Sequence, residues 1–239
     1  MRAFNRQNIE NLTEIKAGQT GNGLLVEHDG HIISKKDTIQ QIKEDIDNGH
    51  KFVIPDDFIV SAVFQKYGIK NANGRIYPEN VLKKQVEAYQ QKIKEHRAYG
   101  ELNHPAESTI DLGRISHNII ELHWEGRTLV GQIELNITKG FVNEGIVSTM
   151  GDMAANLLLN GYKIGVSSRG VGSVENKLGC YVVGDDFELL CWDIVSDPST
   201  PGAYIGHREE LQQYVESTNK STKPNINEKI NRIQDILNS

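Results

Sequence analysis

The chain of 239 residues is long enough for one substantial core or two small ones, and 38% hydrophobic with 24% charged residues marks a folded chain, not a disordered one. Lys and Arg number 26 against 32 Asp and Glu, and the resulting charge of −6 argues against nucleic-acid binding as the main activity. No run of about 18 apolar residues is available to span a membrane; MRAFNRQNIENLTEIK lacks the apolar stretch of a secretory signal; and two cysteines, Cys180 and Cys191, cannot build a disulfide framework or a four-thiolate zinc site, which points to a reducing cytosol.

Residues 1–50 are polar. Within them DTIQQIKEDIDNG carries a helical signal, with Ile39, Ile42 and Ile46 at helical spacing and Gly49 as a stop. KFVIPDDFIVSAVFQKYGI is apolar and β-branched and reads mainly as strand. NANGRIYP is a turn, and ENVLKKQVEAYQQKIKEH is the clearest amphipathic helix, with Val81, Leu82, Val86, Tyr89 and Ile93 on one stripe. YGELNHP ends on a proline that biases His104 towards extended backbone. RISHNIIELHWEGRTLVGQIELN reads as a β-hairpin turning at Glu125-Gly126, and GDMAANLLLNGY as a helix from near Val147 to near Gly161. KIGVSSRGVGSV and CYVVGDDFELLCWDIVSDP are strands, with Pro198 and Pro201 ending the sheet. From Gly206 onward the chain is a polar tail with two short helical stretches. The expected class is α+β, built on an antiparallel sheet or barrel.

Three stretches carry candidate chemistry. His104 is either a loop histidine held by a hydrogen bond or a general base, since its ordinary titration lies near the operating pH of a hydroxyl nucleophile. Ser167 and Ser168 sit among glycines that permit close backbone approach, with Arg169 as a fixed positive charge beside them. The stretch is equally readable as a structural turn, and Arg169 stands where a G-x-S-x-G nucleophile elbow requires glycine. Asp193 lies in an apolar run and needs a partner, either a histidine or an arginine. Glu101 with His104, His117 with His123, and His28 with His31 are conceivable metal ligands, but none forms a tight zinc pattern. No metal and no cofactor is therefore expected.

NGRIYP before an amphipathic helix, then GELNHP, then GVSSRGVGS, then an apolar strand ending in D-x-x-x-x-P-S-x-P-x-A, resembles the prohead core serine proteases of T4-like tailed bacteriophages, over roughly residues 50–205. These capsid maturation proteases are related in fold to the herpesvirus assemblins. The resemblance implies a β-barrel-like core flanked by helices in a protease domain over 51–205. Residues 1–50 are a departure from the family pattern, open to reading as a propeptide, an assembly contact or a core strand, and residues 206–239 would be a helical or disordered tail open to removal by self-cleavage. It implies His104 as general base, Ser167 as nucleophile with Ser168 the runner-up, Asp193 as the third member, and Arg169 with the Gly170 amide at the oxyanion. It also implies cleavage after glutamate of scaffold, core and major capsid precursors, and of the chain itself, with Glu14 and Glu228 as self-sites. The setting would be the prohead interior in the bacterial cytoplasm, with neither nucleic acid nor membrane as partner and with room for a homo-oligomer. Two other readings remain. One is an inactive structural protein of the phage head, against which the intact His104 and Ser167/Ser168 speak. The other is a metal-dependent hydrolase using Glu101 and His104.

Overall fold

A computed structural model describes residues 14–26, 58–105, 107–177, 179–200, 202–203 and 205–206. The helical signals at 37–49 and in the tail, and Glu228, lie outside these residues. The described chain is mostly strand, with few helices, arranged as two five-stranded sheets.

In the first sheet the spine is β7 (Gly165–Lys177). One edge of β7 pairs antiparallel with β1 (Gly21–Val26). Its other edge takes β9 (Glu188–Val195) along its first half and β8 (Cys180–Val183) along its second. The two-residue β3 (Arg75–Ile76) joins β8 in parallel. The second sheet is antiparallel throughout. Its order is β10 (Ile205–Gly206), β2 (Ile59–Lys66), β6 (Thr128–Leu135), β5 (Ile115–Glu125) and β4 (Tyr99–Glu101).

Among the described residues the expected barrel-like core thus takes the form of two sheets without a closed barrel. They meet at two seams. Leu102 bridges to Ile194 of β9, with the Asn103 N–H donating to the Ile194 carbonyl at 2.7 Å. Val166 N–H donates to the Ala203 carbonyl at 2.8 Å, and Ile205 N–H to the Ile164 carbonyl at 3.2 Å. These bonds satisfy strand-edge groups that would otherwise be left unpaired.

The amphipathic helix forms where its apolar stripe requires. α1 (Glu79–Lys94) starts behind Pro78, carries Glu79 in its first turn and Lys92 and Lys94 in its last, and buries Val81, Leu82, Val86 and Tyr89. Tyr89 meets the edge of Trp192 at 4.9 Å between ring centroids, and Phe64 of β2 meets the same indole at 5.4 Å. Trp192 is fully buried, and the core is built around it.

Local boundaries differ from the sequence expectation at three places. The β5–β6 hairpin turns at Gly126-Arg127, one residue late, because Gly126 supplies the positive φ of 59° that the tight turn needs. A helix missed in the sequence, α2 (Lys139–Glu144), is capped by the Thr138 hydroxyl and closed by Gly145 at φ 72°. α3 (Met150–Leu159) starts later than Val147 because Thr149 and Asp152 form a capping box there. Among the described residues no helix is long and apolar enough to cross a membrane.

Candidate active site

GVSSRGVGS is a central strand, not a turn. Residues 165–172 are all buried, paired with β9 over Gly165–Val171 on one edge and with β1 from Arg169 onward on the other. The glycines answer to close neighbours. A Cβ at Gly170 would lie 2.4 Å from Cε2 of Phe187 and 2.7 Å from the Glu188 carbonyl oxygen. One at Gly172 would lie 2.8 Å from Cα of Phe187.

Strand alternation sorts the two serines. Ser167 is in register with Asp193, Ser168 with Trp192 and Arg169 with Cys191. Directly opposed residues of adjacent strands share a face, and successive residues alternate faces. Ser167, Arg169, Cys191 and Asp193 therefore lie on one face. Ser168 lies on the other, beside the core indole of Trp192.

His104 reaches the Ser167 face through the seam. Asn103 adopts the left-handed conformation at φ 67°, which asparagine tolerates better than most residues. Its N–H bond to Ile194 fixes the backbone one residue before His104, next to Asp193. His104 Nδ1 then sits 2.7 Å from Asp193 Oδ2, both side chains almost fully buried. An ionised carboxylate only accepts, so Nδ1 carries the proton and Nε2 presents its lone pair.

Asp193 has both partners that its burial allowed, a histidine and an arginine. Arg169 Nε lies 2.9 Å from Oδ2, and Arg169 Nη2 donates to Oδ1 at 3.2 Å. The Glu101 N–H donates to Oδ1 at 2.9 Å. Burial pushes the Asp193 carboxyl up, but the hydrogen bond from His104 and the Arg169 charge outweigh it and hold it below its usual range. Asp193 is thus ionised at neutral pH.

The Arg169 guanidinium is directed at carboxylates and carbonyls. Besides Asp193 it donates to Glu101 Oε1 at 3.0 Å and to the Glu107 carbonyl at 2.8 Å. Glu101, read in the sequence only as a conceivable metal ligand, is fully buried and occupied at both oxygens. Oε1 accepts from the Asp111 N–H at 2.9 Å as well as from Arg169, and Oε2 from Arg114 Nε at 3.1 Å. A buried glutamate demands cationic partners, but nothing in the sequence marks Glu101 as buried. Nothing in the sequence spacing singles out Arg114.

His117 and His123 are not brought together as a pair. His117 is buried, with Nδ1 2.8 Å from the Ser116 hydroxyl and Nε2 3.1 Å from the Trp192 carbonyl, and burial pushes it down to about 4. His123 is exposed between Glu121 and Glu125. His28 and His31 lie outside the described residues. Among the described residues no group of His, Cys, Asp and Glu is arranged to hold a metal ion.

Glu14 is exposed, but its bond to Ile15 is pinned. Glu14 bridges to Leu24, the Ile15 N–H donates to the Leu24 carbonyl at 2.9 Å, and the buried Arg75 donates to the Ile15 carbonyl. The Ile15 side chain is buried in the core.

Comparison with known proteins gives concordant results. A family model described as "Prohead core protein serine protease" matches residues 19–214. The "Prohead core protein protease" of Enterobacteria phage T4 is 31% identical over 153 residues, covering 63% of this chain and 68% of the relative. Among solved structures, that of the bacteriophage T4 capsid assembly protease, gp21, superposes with a TM-score of 0.56 at 24% identity, over 74% of this chain and 99% of the other.

Proposed function

The chain belongs to the prohead core protein serine protease family, and from that premise we propose that it is a serine endopeptidase that matures the phage capsid from inside the prohead, with Ser167 as nucleophile. Its substrates are the scaffold, core and major capsid precursor proteins, cut after glutamate, and the chain itself. The observation that carries the site assignment is the shared face of Ser167 and the His104–Asp193 pair, with 2.7 Å between His104 Nδ1 and Asp193 Oδ2.

With Nδ1–H directed at Asp193, His104 Nε2 takes the Ser167 proton as Oγ attacks the peptide carbonyl. Asp193 holds the tautomer and stabilises the imidazolium without taking a proton itself. Nε2 then protonates the leaving amine, and water hydrolyses the acyl-enzyme. Since the Arg169 guanidinium is occupied by carboxylates, the share of Arg169 and Gly170 in holding the oxyanion falls to their backbone N–H groups.

Ser167 is only 2% exposed. A peptide carbonyl reaches it only after the site opens, which suits an enzyme kept silent until assembly. Of the two self-sites, the bond after Glu14 is cut only once its bridge to Leu24 is released. The two seams between the sheets support reading the core as an opened barrel of the assemblin kind.

The test is co-expression with the phage scaffold protein, followed by intact-mass analysis and mapping of the new termini. Wild type should yield fragments ending in glutamate, insensitive to a chelator, and His104→Ala and Asp193→Asn should leave the scaffold whole. Scaffold that stays intact with wild type, or equal cutting by His104→Ala, would remove this reading in favour of a structural head protein or another catalytic centre. Cutting abolished by the chelator would favour a metal-dependent hydrolase.

A further inference from the structure

Asp193 is paired in a way that should weaken it. A carboxylate that stabilises an imidazolium must present negative charge to the ring. Here a guanidinium sits on the same carboxylate, through Nε at 2.9 Å and Nη2 at 3.2 Å. With Asp193 as its sole partner, Arg169 would cancel much of the field that His104 feels.

The pairing does not end there. Arg169 Nη2 also meets Glu101 Oε1 at 3.0 Å, and Glu101 Oε2 meets Arg114 Nε at 3.1 Å. Asp193, Arg169 and Glu101 are fully buried, whereas the Arg114 side chain is 42% exposed. From the imidazole outward the charges alternate: Asp193 negative, Arg169 positive, Glu101 negative, Arg114 positive at the solvent edge. The four sum to zero while His104 is neutral.

We propose that Glu101 is a positioning residue for His104: it takes up the charge of Arg169 and so leaves Asp193 effectively negative towards the imidazole, while Arg114 moderates Glu101 from the solvent side. This rests on the reading of His104 as the base. The same contacts place the ring, because the Glu101 N–H holds Asp193 Oδ1 at 2.9 Å and the Glu101 carboxylate ties down the Asp111 N–H of the loop after His104.

The other buried titratable groups around Asp193 carry no charge at neutral pH. Cys191 of β9 has its sulfur 3.4 Å from Oδ1, and burial pushes its thiol up. Burial likewise pushes up the Tyr89 phenol of α1 and pushes the His117 imidazole of β5 down to about 4. Glu107 and Asp111, on the loop across Arg169, are exposed to solvent, where water screens them. The alternating chain is therefore the main source of field at the ring.

The test reads proton affinity directly and does not depend on activity. The His104 ring Cε1–H signal is titrated by NMR in the full-length protein, with His104→Gln identifying the resonance. Glu101→Gln removes a negative charge while keeping the shape, and should lower the His104 pKa by about half a pH unit or more, a threefold loss of proton affinity. Arg114→Gln unmasks Glu101 and should raise it. A merely structural role for the cluster predicts no shift, or shifts of one sign in both variants, and either result overturns the proposal. If Glu101→Gln fails to fold, the half-exposed Arg114→Gln decides alone: a rise supports the proposal and its absence overturns it. Scaffold cutting by His104→Gln at the wild-type rate would sink the catalytic reading instead, and is distinguishable from either shift.

Discussion

At the residue scale the decisive fact is a parity. Ser167 and Ser168 are adjacent in the sequence, and the local patterns rank Ser167 first without excluding Ser168. The strand separates them, because residues in register across β7 and β9 share faces, and only Ser167 shares one with Asp193. Gly100 is the second residue whose identity is dictated by its surroundings. A Cβ there would lie 2.1 Å from the Trp192 carbonyl oxygen and 2.3 Å from Cε1 of the buried His117. Backbone cannot yield as a flexible side chain can, so Gly100→Ala should destabilise the fold by about 1–3 kcal/mol. It should also lower activity by displacing the segment that carries His104. Thermal unfolding and scaffold cleavage measured on one preparation check both. His104, Ser167 and Asp193 were legible as candidates because each is a residue type that chemistry uses in a setting that calls for explanation. The pairing of Arg169 with Asp193 and Glu101 was not, since Arg169 beside a serine reads as an aid to the oxyanion until the strand turns its side chain onto β9 and β4.

At the element scale, patterns with a period were readable and patterns without one were not. α1 announced itself by its stripe and matches the structure almost to the residue. The sequence places the β5–β6 turn one residue early. β7 was harder. A strand buried on both faces does not alternate, and one rich in Gly and Ser mimics a turn. α3 was readable as a helix, but its start depended on Asp152, which accepts from five donors on Thr138, Ser148 and Thr149. Burial pushes the Asp152 carboxyl up, but the amide N–H groups of Ser148, Thr138 and Thr149 outweigh it and hold it down at about 2, against 3.8 for the free group. A depressed carboxylate stabilises the fold above its unfolded value, and this contribution is lost as pH falls through the folded one. Asp152→Asn should therefore cost about 2 kcal/mol at neutral pH. The gap to wild type should narrow between pH 4 and pH 2, as urea titrations at several pH values would reveal.

At the scale of the whole molecule, the N-terminal segment contributes to the core. The sequence leaves residues 1–50 open between a propeptide, an assembly contact and a core strand, because GNGLLV is too short and glycine-rich to stand out as a strand. Yet β1 covers the free edge of β7 over Arg169–Val174, and Ile15 is buried beside it. Deleting residues 1–26 should expose that edge and give aggregated protein, since an unpaired central strand templates association. Deleting residues 1–13 leaves every described strand in place and should give a folded monomodal species by light scattering. Equal behaviour of the two truncations would show that β1 is dispensable.

The most direct test of the whole account compares two neighbouring alanines. Ser167→Ala and Ser168→Ala, each co-expressed with the phage scaffold protein, are followed by intact mass beside wild type. With Ser167 on the His104 face and Ser168 beside Trp192, Ser167→Ala should leave scaffold and protease whole, while Ser168→Ala still cuts after glutamate. Continued cutting by Ser167→Ala, with loss of cutting in a folded Ser168→Ala, would contradict the assignment of the nucleophile and the strand parity on which it rests.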